Sequence, residues 1–426
     1  MLNPLLKRWS RLSRVPHDLS RITDIGEEAS EFDAGLRAGS VEALWRVIEQ
    51  LYATGVQPGI QLCVMQGGKV VLDRAIGHAR GNEPGSLDVD PLAMTVQSPI
   101  NLFSAGKAVT ALLVHKLQEQ GFLNIDDPVA AHIPGFERHG KQDITLRHVM
   151  THRAGLPHLP IPVVEAFDSG VISRPDKILD LLINARPQRK VGGVPAYHAI
   201  SGGFILAEVM RRATGRELRD LLQSLIKDPL GLSWLDFGVS RKDLKKIALN
   251  AVTGYTPTPI AWQLSRVLGA SFDKIVEISN DDRFLTAIVP SGNVISTARD
   301  TALLYQCLLN GGEMSGRRIF EQETVRRATT PDRANVSIDR TIGIPIRYSP
   351  GFMVGHGGLG LYGWNRPDTF GHLGLSSTLT WARPDTGTVI ALLTNGKPIL
   401  GPHIREMLAM FAGFNAFCEN RIVPPS

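Results

Sequence analysis

The chain has 426 residues, 43% of them hydrophobic, and its 46 basic and 41 acidic residues leave a net charge of +5. That is apolar content enough for one large or two medium globular domains, and charges so interspersed exclude the basic stripe of a nucleic-acid-binding protein. The three cysteines, Cys63, Cys307 and Cys418, stand far apart in apolar surroundings, which excludes a disulfide framework or a zinc spacing and reads as core thiols in a reducing compartment. With no apolar run of about 18 residues and no apolar signal core at the N-terminus, the expected location is cytoplasmic.

Residues 1–16 carry Lys7, Arg8, Arg11 and Arg14 with no acid, while Leu2, Leu5, Leu6, Trp9 and Leu12 recur at helical spacing. Such a helix can make weak contact with an anionic membrane surface, although packing on the body of the protein, or a frayed arm, is the simpler reading. Residues 17–40 read as a linker. Val41, Leu44, Trp45, Ile48, Leu51 and Tyr52 then predict an amphipathic helix ended by Gly55. From Gly59 the pattern turns to strand, and Gly67-Gly68 between 60–65 and 70–72 predicts a tight hairpin. A helix runs from Ser104 to the stop at Gly121. Asn124 to Pro128 supplies the caps and proline of another start. Short helices are expected over 146–153, 174–185, 201–213 and 216–226. Strands return at 376–382 and 388–393 around the turn Arg383-Pro384-Asp385-Thr386-Gly387, and residues 402–414 close the chain as a helix. The expected class is α+β. A sheet domain takes residues 41–100 and 285–426, a mainly helical domain takes 101–284, and 1–40 form an arm and linker.

Four stretches carry chemistry. Phe103-Ser104-Ala105-Gly106-Lys107 sets a hydroxyl and an amine three residues apart at a helix start, so the Lys107 amine faces the Ser104 hydroxyl. A desolvated lysine can take a serine's proton, or keep another acceptor ionised, and the free N–H groups of a first helical turn favour an oxyanion. Tyr197, in Ala196-Tyr197-His198-Ala199 before the helix at 201, could act as general base if a nearby ammonium lowers its pKa. Phe370-Gly371-His372-Leu373-Gly374-Leu375 precedes a strand, and a glycine there lets a backbone N–H approach a ligand closely. Thr145 to Pro157 forms a helix with a Gly-Pro exit.

In this order the motifs resemble the serine β-lactamase-like superfamily of class C β-lactamases, D-alanyl-D-alanine carboxypeptidases and family VIII carboxylesterases. Ser104-x-x-Lys107, Tyr197 and His372-Leu373-Gly374 match its three motifs, and 146–157, 290–298 and 309–312 extend the likeness over roughly residues 41–415. The resemblance implies an antiparallel sheet flanked by helices, an all-helical domain beside it, a groove between them, and no cofactor or metal. It further implies that Ser104 attacks a carbonyl, that Tyr197, its proton affinity lowered by Lys107, shuttles the proton, and that the N–H groups of Ser104 and Leu375 hold the oxyanion, with His372 and Gly374 lining the substrate site. Two departures decide among activities. Ala199 stands where lactamases and carboxypeptidases usually have an amide-binding asparagine, and His372 stands where many have a permanently charged lysine. Both favour a small-molecule ester as substrate over an amide.

Other matches carry less. Gly355-His356-Gly357-Gly358-Leu359-Gly360 fits a dinucleotide fingerprint, but Tyr362 to Pro367 cannot open the helix it needs. His148 and His152 have zinc-ligand spacing without a third ligand and read as packing residues. Arg241 to Lys246 reads as a solvated helix face. The leading expectation is a carboxylesterase for small to medium acyl esters. An acyltransferase using the same acyl-enzyme and a weak β-lactamase or peptidase are the alternatives, and a non-catalytic scaffold would have no use for Ser104, Lys107 and Tyr197 together.

Overall fold

The computed structural model describes residues 11–86 and 91–421. Its centre is an antiparallel sheet built from both ends of the chain. Helix α1 (Ser40–Ala53) forms because its apolar residues recur every three or four positions; Val41, Leu44, Trp45, Ile48, Leu51 and Tyr52 are all buried on one face. Strands β1 (Gly59–Gln66) and β2 (Lys69–Arg80) follow as a hairpin. Its two-residue turn, Gly67-Gly68, takes φ +56° and +83°, a pair of angles that residues with a Cβ adopt only at a cost. Late in the chain come β3 (Phe370–Leu373), β4 (Leu379–Arg383) and β5 (Thr388–Thr394). Strand β5 pairs with β1, placing Ile390 opposite Val64 and Leu392 opposite Leu62. Across the sheet the order is 23–25, β2, β1, β5, β4, β3, 353–354, 345–348 and 337–338, and Leu92–Ala93 also pairs with β2.

Both faces of the sheet are covered. Along β1, Leu62 and Val64 enter one core with α1 and the C-terminal helix Ile404–Glu419, while Cys63 and Met65 enter the other. All eight residues of β1 are therefore buried, which is why it reads as a nearly continuous apolar run, broken by Gln61, and not as an alternation. The second core contains the helices α2 (Lys107–Glu119), α3 (Ser201–Thr214) and α4 (Ala298–Leu309). The cysteines are free and buried in these cores.

The stretch between Asn101 and Thr286 is mostly helical, yet it contains short strands that tie it to the sheet region. Leu235–Phe237 pairs with Val294–Ser296, which also pairs with Ile100–Asn101, and Ala251–Thr253 runs parallel to Gly396–Pro398. Strands of two or three residues are too short for periodicity to reveal. Two expectations near the N-terminus need correction. Residues 11–16 are not helical. Their polar groups are taken elsewhere: Ser13 N donates to Gly55 O, Arg14 exchanges bonds with Asn82, and Arg11 pairs with Asp273, while Pro16 disfavours helix in the residue before it. The rest of the proposed amphipathic segment, residues 1–10, lies outside the described residues. Nor are residues 17–40 only a linker, since Thr23–Ile25 forms an edge strand on β2. The glycine-rich stretch at 355–360 is loop and hairpin, with Leu359 opposite Trp364. Arg241–Lys246 is a short 3-10 helix without a buried residue. No helix of the described residues is long and apolar enough to cross a membrane.

Candidate active site

Between Asn101 and Lys107 the chain turns sharply into a helix. Asn101 Oδ1 accepts from Phe103 N at 2.9 Å, Phe103 takes φ +49°, and the 3-10 turn Phe103–Gly106 runs straight into α2. A left-handed phenylalanine costs on the order of 1–2 kcal/mol, strain that persists only where its surroundings over-determine it. Gly106 is required here, because a Cβ would stand 2.6 Å from the Val294 side chain. The turn leaves Ser104 partly exposed with Lys107 beside it. Lys107 Nζ is 3.2 Å from Ser104 Oγ and donates to Ser291 O at 2.9 Å. Burial alone lowers the Lys107 pKa to about 7, so near neutral pH much of this amine is free to accept a proton.

Tyr197 arrives from the loop before α3. Lys107 Nζ lies 4.9 Å from its ring centroid, and the ring of His152 is 4.5 Å away. The Tyr197 hydroxyl is buried without a hydrogen-bond partner of good geometry, although Ser104 is close enough to draw its pKa down somewhat. Burial outweighs that pull, Asp339 adds to the rise, and the phenol ends well above its ordinary range. The expectation that Lys107 lowers the proton affinity of Tyr197 therefore does not hold in this geometry. A lysine that burial has itself driven toward neutrality exerts little attraction on a phenolate.

Sequence reasoning did not single out the acid that holds Tyr197. Asp339 is fully buried; its Oδ1 accepts from the backbone N–H of Tyr197, Thr341 and Ile342 at 3.1, 2.8 and 3.1 Å, and its Oδ2 accepts from the Tyr348 hydroxyl at 3.1 Å. His152 Nδ1 accepts from His198 N at 3.1 Å, and His198 Nε2 accepts from Leu156 N at 3.1 Å. His148 instead caps its own helix, accepting from Thr145 N at 3.3 Å. The spacing of His148 and His152 was visible, but only the fold shows that the second packs on Tyr197. Among the described residues no cluster of His, Cys, Asp or Glu could hold a metal ion.

The third motif ends β3. His372 Nδ1 lies 2.8 Å from Leu373 O, which assigns the proton to Nδ1 and leaves Nε2 as an acceptor. Burial lowers its pKa to about 3, so this histidine is neutral. Its ring centroid is 6.5 Å from that of Tyr197. Gly374 N donates to Thr378 O at 2.8 Å, and a Cβ on Gly374 would stand 2.4 Å from Leu102 O; the end of β3 thus lies against the Ser104 turn. The N–H of Ser104 lies in that turn and the N–H of Leu375 directly follows Gly374, so the two expected oxyanion donors belong to the two ends that meet here. Ala199 forms part of a cavity of ≈ 400 Å³ with Pro157 to Val163 and Ser265 to Gly269. A smaller one of ≈ 30 Å³, bounded by Lys107, His152, His198, Ser291 and His372, has room for one or two waters. The structure thus gathers Ser104, Lys107, Tyr197, His372 and Gly374, with Leu375 one residue beyond.

A mixed α+β fold with a serine and lysine at the start of a buried helix defines a class. A family model described as Beta-lactamase matches residues 44–411. The chain belongs to that family of serine hydrolases. Esterase/beta-lactamase LipL of Mycobacterium tuberculosis (strain ATCC 25618 / H37Rv) is 29% identical over 401 residues, covering 89% of this chain and 88% of LipL. Among solved structures, a penicillin-binding protein homologue from Caulobacter crescentus shares the fold with a TM-score of 0.74 at 24% identity, covering 92% of this chain and all of that one. A family VIII carboxylesterase does so with a TM-score of 0.73 at 23% identity, covering 89% of this chain and 98% of that one.

Proposed function

We propose that this protein is a carboxylesterase that hydrolyses small to medium acyl esters through an acyl-enzyme on Ser104. The observation that carries the reading is the Ser104 hydroxyl 3.2 Å from a Lys107 amine whose pKa burial lowers to about 7. In acylation Lys107 Nζ takes the hydroxyl proton as Ser104 Oγ bonds to the ester carbon, and the carbonyl electron pair moves onto oxygen. The N–H groups of Ser104 and Leu375 are the donors for that oxyanion. As the carbonyl re-forms and the C–O bond breaks, the Lys107 proton passes through the Tyr197 hydroxyl to the departing alkoxide. Water then attacks the acyl-enzyme, gives its proton to Lys107, and Ser104 leaves with that proton. Tyr197 is thus a relay that stays protonated at rest, and Lys107 is the resting base.

The preference for esters rests on what surrounds the carbonyl. Ala199 lines a mainly apolar cavity that also holds His158, Ser265 and Arg266, and its methyl group cannot bond the amide of a β-lactam or peptide. His372 is neutral and supplies no cation for a carboxylate. A site without a needed polar partner discriminates strongly. The names of LipL, an esterase and β-lactamase, and of the family VIII carboxylesterase are in keeping with this reading. The test is turnover of p-nitrophenyl butyrate by the wild type and by Ser104→Ala, with a chromogenic cephalosporin in parallel. Ester turnover that the substitution abolishes, with little cephalosporin turnover, is expected. Comparable cephalosporin turnover would overturn the ester preference. The same assay with an added alcohol shows whether the acyl group also passes to an acceptor other than water.

A further inference from the structure

Lys397 is a buried lysine for which the chemistry above has no use. It sits on Gly396–Pro398, the short strand parallel to Ala251–Thr253, and is 0% exposed. Its Nζ donates to Thr394 O at 2.7 Å, reaches Thr378 Oγ1 at 3.5 Å, and lies 4.9 Å from the centroid of the Phe103 ring. Burial is the sole influence on its acidity and lowers its pKa to about 7. An amine enclosed without a counter-ion destabilises a core that methionine would fill at no such cost.

What Lys397 touches is specific. Phe103 directly precedes Ser104 and has the left-handed backbone, φ +49°. Thr378 accepts, through its carbonyl, the N–H of Gly374 at 2.8 Å, and Gly374 directly precedes Leu375. Each donor assigned to the oxyanion therefore lies one residue from a group that Lys397 touches or holds through Thr378. Gly374 also abuts Leu102, since a Cβ added to it would stand 2.4 Å from Leu102 O, so the Ser104 turn and the end of β3 meet beside the groups that this amine touches. We infer that Lys397 is a positioning residue for the oxyanion hole, a clamp that fixes the Ser104 and Leu375 N–H groups relative to one another through Phe103 and Thr378. The inference rests on the Ser104 acyl-enzyme reading. Pre-organised donors act only if they already point where the charge will develop, and a small misplacement lowers the rate of the chemical step more than it weakens substrate binding.

The test uses Lys397→Met, which keeps an unbranched side chain and drops the amine, and Thr378→Val, which keeps the shape and the carbonyl of Thr378 and drops its hydroxyl. For Lys397→Met, kcat for p-nitrophenyl butyrate is expected to fall about 10- to 100-fold with KM changed less than about 3-fold. Affinity for an alkyl trifluoromethyl ketone, whose Ser104 hemiketal places an oxyanion in the hole, should fall in the same proportion. Thr378→Val should give a smaller loss of the same kind. A folded Lys397→Met protein with kcat and ketone affinity within about 2-fold of wild type overturns the inference. If Lys397→Met does not fold, the same result for Thr378→Val overturns it. Wild type and Ser104→Ala run alongside separate the two levels: equal ester turnover by that pair would remove the reading on which the inference rests, whereas a large difference between them with an unimpaired Lys397→Met removes the inference alone.

Discussion

Removing the Tyr197 hydroxyl should move activity and stability in opposite directions. The hydroxyl is buried with no hydrogen-bond partner of good geometry, so it bears a desolvation cost of about 1–3 kcal/mol that its loose approach to Ser104 offsets only in part. In Tyr197→Phe the ring keeps its place against His152, 4.5 Å away, and beneath Lys107, 4.9 Å away, and that cost disappears. With an unfolding entropy of about 2.1 cal/mol/K per residue, the 426 residues give roughly 0.9 kcal/mol/K, and the substitution should raise Tm by about 1–3 °C. Activity should fall by about 10²- to 10⁴-fold in kcat, the usual worth of a positioned proton-transfer group, because the departing alkoxide loses its donor. Differential scanning calorimetry and steady-state hydrolysis of p-nitrophenyl butyrate on one preparation provide both numbers. A variant that keeps kcat within about 3-fold would refute the relay. A fall in Tm of several degrees would show that the hydroxyl is a structural hydrogen-bonding group and not an orphan held for catalysis.

The pH profile should report Lys107. Since its pKa is lowered to about 7 and the neutral amine is the base, kcat/KM should rise with unit slope below that value and level off above it; a rise that continues without a break to about pH 9 would point to a base with an ordinary lysine or tyrosine pKa. Stability should also depend on pH. Lys107 and Lys397 bind fewer protons folded than unfolded, both being lowered to about 7, so their penalty is full below that pH and is relieved as pH rises toward the unfolded lysine range. Above about pH 8.5 the buried thiols and phenols of Cys63, Cys307, Tyr197 and Tyr305, all raised by burial, oppose this. Urea denaturation should therefore show stability increasing between about pH 7 and 8.5, and a decrease over that window would contradict both lysine assignments. Asp339→Asn replaces an acceptor-only group that receives four donors by one that must turn an NH₂ toward a donor. It should cost about 1.5–3 kcal/mol, the worth of a hydrogen bond to a charged group, and lower kcat by displacing Tyr197; an unchanged denaturation midpoint would count against it.

The parts of this site that local spacing controls were legible in the sequence. Ser104 and Lys107 face each other because three residues on a helix bring them there, and Gly67-Gly68 announces its hairpin because few other pairs can take those angles. Tyr197 and His372 were placed near Ser104 only by likeness to a family, since nothing local connects positions so far apart. Asp339 was not legible at all: a single acid in a polar stretch gives no sign that it will be buried under Tyr197. Helix α4 escaped notice because Arg299, Asp300 and Thr301 interrupt its apolar pattern at the start, although Asp300 and Thr301 are buried there. The order of acidity between Lys107 and Tyr197 could not be read either, because burial sets it and burial is a property of the assembled fold.

The central claim is that the acyl group of an ester passes through Ser104. Intact-mass spectrometry after rapid quenching of p-nitrophenyl butyrate turnover, followed by peptide mapping, addresses it directly. A butyryl adduct on the peptide that contains Ser104, absent from Ser104→Ala and persisting longer in Lys107→Met, is the predicted result. Turnover without an adduct, or an adduct on another residue that survives Ser104→Ala, would contradict the account.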